Sequence, residues 1–166
     1  MMRRFVLAGL LLMFSACGLH SLYGGGADSP VSGLLRSVEV GPIAGQQGWL
    51  VRTKLVDRLG ETGKAEARYR LDVTLDDNIT SYGLRADRAA TQERRTLRAR
   101  YQLVDMSDNM VVLDETAGSD ASVDVVSSEY ATVAAEQTAL ENLSGIVADQ
   151  IVARLAIYAA RTTHRK

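Results

Sequence analysis

Tyr69-Arg70-Leu71-Asp72-Val73-Thr74-Leu75 alternates apolar and polar side chains without a break, and Leu97-Arg98-Ala99-Arg100-Tyr101-Gln102-Leu103 repeats the pattern. A period of two places one set of side chains on each face of a strand, so both stretches predict strands with one apolar and one charged face. Asp105-Met106-Ser107-Asp108-Asn109 is turn chemistry, and Met110 to Thr116 opens another strand. Residues 95–106 and 110–122 therefore predict a hairpin. Upstream, Val38 and Val40 alternate with Ser37 and Glu39 until Gly41-Pro42 ends the run.

Helical spacing takes over on either side. In residues 47–60, Val51, Leu55, Val56 and Leu59 form one stripe, and Gly60 and Gly63 are stop signals. In residues 128–161, Leu140, Leu143, Val147, Ile151, Leu155 and Tyr158 step by three or four, with Ser127 or Ser128 as N-cap. That helix would be ~50 Å long at 1.5 Å per residue, with Gly145 as a point of weakness. The order is β-α-β-β-β-α. Strands apolar on one face need a cover, and two helices with one stripe each supply it. The expected fold is an α/β (α+β) two-layer sandwich: a four-stranded, mostly antiparallel sheet with both helices on one face.

The first residues, MMRRFVLAGLLLMFSAC, have another character. Arg3 and Arg4 precede an apolar run from Phe5 to Phe14, then Ser15, Ala16 and Cys17. This is the layout of an export signal, and its apolar run is shorter than the ~20 residues that span a bilayer. No second apolar run reaches that length. Phe14-Ser15-Ala16-Cys17 resembles a lipobox, with Phe14 where Leu is usual. Cys17 is the single cysteine, so no intrachain disulfide can form, and lipidation accounts for both its presence and its position. Gly18, where Asp would favour inner-membrane retention, points to the outer membrane. The expected division is residues 1–16 signal peptide, 17–35 lipidated cysteine and Gly/Ser-rich tether, 36–161 one domain and 162–166 tail. Extended, the tether would reach ~60 Å.

Composition excludes several classes. Without Arg3 and Arg4 the mature chain carries 17 basic against 20 acidic residues, a net charge of −3 and no bulk signal for nucleic acid. His20 and His164 lie in tether and tail, and no Gly-x-Ser-x-Gly, phosphate loop or metal-ligand spacing occurs. Asp76/Asp77 and Asp114/Glu115 are strand neighbours, so each pair splits between opposite faces. Asp105, Asp108 and Asn109 lack the glycine of a calcium loop. Neither an enzyme nor a bound cofactor or metal is expected. The notable cluster is Arg85, Arg88, Arg94, Arg95, Arg98 and Arg100, opposed only by Asp87 and Glu93. Arg94, Arg98 and Arg100 share strand parity and project from the polar face. A row of guanidiniums suits phosphate or carboxylate, on an anionic lipid or a partner's acidic wall, although a solvated face reads the same way.

Several segments in order resemble the lipopolysaccharide-assembly lipoprotein family LptE. Cys17 to Gly24, C-G-L-H-S-L-Y-G, is similar to that family's opening, with Ser21 where Pro is usual. Val38 to Leu59 resembles its first strand and helix, and Tyr69 to Leu75 its second strand. Ser127 to Ala131, Glu136, Ala139 and Ala148 to Leu155 resemble the terminal helix of its alphaproteobacterial members. The resemblance implies an outer-membrane lipoprotein on the periplasmic side that partners and plugs the LptD β-barrel, aids its assembly and contacts lipopolysaccharide. It carries over no catalytic residue. The arginine cluster comes from the residues, not from the resemblance. The competing expectation is an accessory lipoprotein of a lipid-transporting ABC system.

Overall fold

In a computed structural model, residues 29–60, 67–84 and 90–163 are described, the side chains of residues 84, 90 and 91 aside. The elements are α1 (Pro30–Arg36), β1 (Val38–Val40), α2 (Gly45–Leu59), β2 (Tyr69–Leu84), β3 (Ala90–Asp105), β4 (Met110–Asp124) and α3 (Glu129–Thr163). The sheet runs β1-β2-β3-β4 in sequence order, β1 parallel to β2 and the other pairs antiparallel. This is the expected sandwich, with one helix added at the front.

That helix corrects the reading of residues 30–35 as tether. Ser29 caps it, its hydroxyl accepting from the Ser32 amide, and Pro30 sits in the first turn, where a missing N–H costs nothing. Its seven residues bury Leu35, too short a stretch to show a helical period.

Alternation in β2 and β3 assembles the core. Leu71 faces Leu103 and Val73 faces Tyr101 across the ladder; Leu71, Leu97, Ala99, Tyr101 and Leu103 are fully buried. Against them pack Val51 and Leu55 of α2 and Leu143, Val147, Ile151 and Leu155 of α3. Burying one such side chain stabilises by roughly 1.5–3 kcal/mol. Ser128 caps α3 through the Ala131 amide, as its sequence suggests, and the helix runs unbroken past Gly145. Arg58 of α2 reaches the Gly145 carbonyl and forms an ion pair with Asp149, tying the two helices together. By length and composition α3 is apolar enough to cross a bilayer, although polar residues interrupt it, and half of its most apolar stretch is buried here, as a core helix requires.

The β3–β4 turn follows its chemistry. Asp105 accepts from the Ser107 amide and hydroxyl, Asp108 accepts from the Met110 amide, and Asn109 takes φ 56°. The helices cover one face of the sheet. The other face carries the polar set and is open.

Candidate functional site: the open sheet face

Register decides which arginines share a face. Arg94, Arg98 and Arg100 lie on the open side, facing Thr80, Asp76 and Thr74 of β2 and Ser122, Gly118 and Thr116 of β4. Arg95 has the opposite parity. It points to the helix-covered side, where it binds Asp77 and donates to the Glu136 carbonyl of α3. Arg95 is thereby engaged in packing and is not part of the open row. Arg85, Arg88 and Cys17 lie outside the described residues.

The three open-face arginines differ in how far they are engaged. Arg100 donates two hydrogen bonds to Asp114, at 3.1 and 2.7 Å, and Gln102 adds a third at 2.9 Å. These bonds hold the Asp114 carboxyl down at about 2, and Asp114 raises Arg100 in turn. Arg94 stands 3.7 Å from Asp120 and over the Tyr82 ring, 5.6 Å from its centroid. Arg98 is exposed and makes no hydrogen bond or ion pair among the described residues. It crosses from Asp76 without pairing to it and lies over Gly118, where an added Cβ would stand 3.1 Å from the Arg98 Cγ. The glycine thus leaves room for the arginine stem to lie flat. Arg70 and Asp72, on the same face, satisfy each other at 2.9 Å.

The carboxylate neighbours split as expected. Asp114 serves the open face, while Glu115 turns to the helix side, 3.5 Å from Arg154 and within reach of the Tyr101 hydroxyl. Burial, then the Glu115 charge, pushes Tyr101 up to about 12. A cleft of about 510 Å³ opens where α1 meets the end of α3, lined by Arg68, Tyr69, Asp105, Tyr158 and Thr162 among others. Arg68 spends its charge on Asp105 at 3.3 Å and on the Tyr69 ring. Among the described residues no three His, Cys, Asp or Glu side chains gather to hold a metal. The arrangement can bind a polar or anionic surface.

Solved lipoproteins share this fold. A candidate lipoprotein from Caulobacter crescentus CB15 is 26% identical over 78% of this chain and 96% of its own, with a TM-score of 0.63. The rare lipoprotein B from Shewanella oneidensis superposes with a TM-score of 0.60 at 10% identity, over 76% and 98% of the two chains. A minor lipoprotein from Acinetobacter baumannii does so at 0.55 and 14%, over 73% and 90%. These last two establish likeness of fold alone. The curated proteins contain no significant match. The family model for LptE, lipopolysaccharide-assembly, matches residues 35–155, so the chain belongs to the LptE family.

Proposed function

We propose that this protein is an outer-membrane lipoprotein, anchored through Cys17 on the periplasmic side, that partners and plugs an LptD-type β-barrel and assists its assembly and the delivery of lipopolysaccharide to the outer leaflet. Family membership over residues 35–155 carries the reading. The export signal and lipobox at residues 1–17 support the anchor. Within it, the open-face arginines meet anionic groups of lipopolysaccharide or of the barrel wall. Arg98 leads, since it is exposed and its charge is not offset by an ion pair among the described residues; Arg94 and Arg100 flank it, and Arg85 and Arg88 belong to the same sequence cluster.

The test is purification of the tagged full chain from its own outer membrane. A co-purifying large β-barrel, and loss of folded barrel and of surface lipopolysaccharide on depletion, are expected. Co-purification with an inner-membrane transporter instead, or unchanged surface lipopolysaccharide, would end the reading. Palmitate labelling that survives Cys17→Ala would end the anchor.

A further inference from the structure

The two edges of the sheet are not alike. At the β4 edge, the Gln150 side chain of α3 reaches over: the Gly118 amide donates to Oε1 at 3.0 Å and Nε2 donates to the Gly118 carbonyl at 3.3 Å. A helix side chain there takes the place of a neighbouring strand. At the other edge β1 ends at Val40, and the last bond runs from the Gly41 amide to the Leu71 carbonyl at 3.0 Å, just before Pro42. β2 continues alone to Leu84.

Parity states what that leaves open. The Tyr69 amide points outward to Ser37 and the Leu71 carbonyl outward to Gly41, so Val73, Leu75, Asp77, Ile79 and Ser81 aim their N–H and C=O groups off the sheet. None of these backbone groups is hydrogen-bonded off the sheet among the described residues. The free stretch spans ~27 Å at ~3.4 Å per residue. An unpaired edge of this length is a template for another strand, and proteins ordinarily blunt or cover it.

We propose that the β2 edge from Val73 to Ser81 accepts an extended segment of a partner polypeptide as a fifth strand. Only a polypeptide backbone repeats donor and acceptor every second residue at the spacing this edge presents. The flanking side chains define the strand that fits. On the helix side, a groove of about 430 Å³ lined by Pro42, Ile43, Ala44, Val73 and Leu75 takes an apolar side chain, and Ile79, 43% exposed, wants another. On the open side, exposed Asp76 has no ion pair among the described residues and favours a basic residue opposite. A second copy of this chain fits poorly: two-fold antiparallel pairing centred on the free stretch brings Asp77 beside its own copy, and in-register parallel pairing brings Asp72, Asp76 and Asp77 each beside their own. The proposal rests on the preceding reading for its partner, the barrel.

The complex of the tagged full chain with its barrel, purified from membranes, tests both. Ile79→Pro removes one outward N–H and leaves the β2–β3 ladder intact, whereas Thr116→Pro does the same on the β4 edge. Ile79→Pro is expected to lower barrel recovery by about tenfold, the equivalent of ~1.4 kcal/mol, and Thr116→Pro to leave it unchanged. Independently of any variant, amides of residues 73–81 should exchange at least about tenfold more slowly in the unaltered complex than in the free chain. The exchange measurement decides the matter if Ile79→Pro fails to fold. Equal exchange in both states, undiminished recovery with Ile79→Pro, or a cross-link from position 79 to another copy of the chain would overturn the edge assignment while the barrel partnership stands. No barrel recovered with the unaltered chain would bring down the partnership and this assignment together.

Discussion

Arg95 and Asp77 form a two-bonded ion pair on the helix-covered side of the sheet: Nε donates to Oδ1 at 2.9 Å and Nη2 to Oδ2 at 2.6 Å, with side chains only 13% and 12% exposed. The third arm, Nη1, donates to the Glu136 carbonyl at 3.1 Å. One guanidinium thereby joins β3, β2 and the first half of α3, where few apolar contacts hold the helix down. Removing one partner strands the other in a desolvated site, which costs more than the pair itself contributes. Arg95→Ala should destabilise by about 3 kcal/mol in urea unfolding, near the low end for a buried pair that is broken. Arg95→Met with Asp77→Leu should recover most of that loss. Equal losses in the single and double variants would show that the pair does not act as a unit.

Glu93 and Glu136 meet beside that pair. One carboxylate oxygen of Glu93 is buried without a partner, and the other accepts from the Ser81 hydroxyl. Burial first, then the Glu93 carboxyl, raises Glu136, with Arg95 opposing. A carboxyl whose folded pKa is raised stabilises the fold below its unfolded pKa and loses that contribution as pH rises through the folded value. At neutral pH the two acids therefore repel. Glu136→Gln should raise the Tm at pH 7 by about 1–2 °C, since solvent screens a partly exposed carboxyl pair and leaves its repulsion worth about 0.5 kcal/mol. The gain should shrink toward pH 4, where Glu136 is protonated anyway. A gain that is flat with pH would point to packing instead of charge.

Asp114 has the opposite sign. Arg100 and Gln102 hold its carboxyl down at about 2, so its contribution is present above the unfolded carboxylate range and lost as pH falls toward 2. Asp114→Asn should therefore flatten the acid limb of a stability profile between about pH 4 and pH 2 and leave the profile above about pH 6 parallel to the parent. A change confined to neutral pH would contradict the assignment.

How much of this was legible beforehand differs by element. The strands at 69–75 and 97–103 announced themselves because α2 and α3 cover one face there and demand apolar alternation. The outer halves, residues 76–84 and 90–94, were not announced as strand. Their covered face carries Asp77, Ser81 and Glu93, so both sets of side chains are polar and the period of two vanishes. The parity that puts Arg94, Arg98 and Arg100 on one face was readable, and so was the opposite parity of Arg95. Their partners were not. Whether Arg100 finds Asp114 depends on the turn at 106–109 and on the bulge between Leu103 and Val104, which sets the β3–β4 register. Sequence spacing alone holds no record of that bulge.

Gly48 tests the packing of α2. An added Cβ would stand 2.5 Å from the Ile43 carbonyl oxygen and 2.7 Å from its carbon, both backbone atoms that cannot swing away. Gly48→Ala gains helix propensity, about 1 kcal/mol in a helix interior, but has to push the 41–44 connection off the helix. Overpacking costs about 1–3 kcal/mol, and a clash with backbone falls in the upper part of that range, about 2–3, so a net loss of about 1–2 kcal/mol is expected by denaturant unfolding. Gly118→Ala, whose Cβ would meet the flexible Arg98 stem at 3.1 Å, serves as contrast and should cost less.

Arg98→Glu addresses ligand contact more cleanly than any change at its neighbours. Arg98 makes no ion pair among the described residues, so its reversal breaks none, and its only internal cost is a carboxylate set across the ladder from Asp76, a like-charge pair worth about 0.2–1 kcal/mol. Arg100→Glu, by contrast, sets a second carboxylate beside Asp114 and mixes a folding effect into any binding result. If the open face meets phosphate or carboxylate, Arg98→Glu should weaken binding of lipopolysaccharide or of the barrel by about tenfold or more, since a charge-assisted bond of about 1.5–3 kcal/mol becomes a repulsion. Adding Arg100→Glu should deepen that loss. The effect should also fade as salt rises, because exposed charges are screened within ~10 Å at 0.1 M. Binding of lipopolysaccharide and barrel that is unchanged in both the single and the double variant would return the arginine row to the role of a solvated strand face.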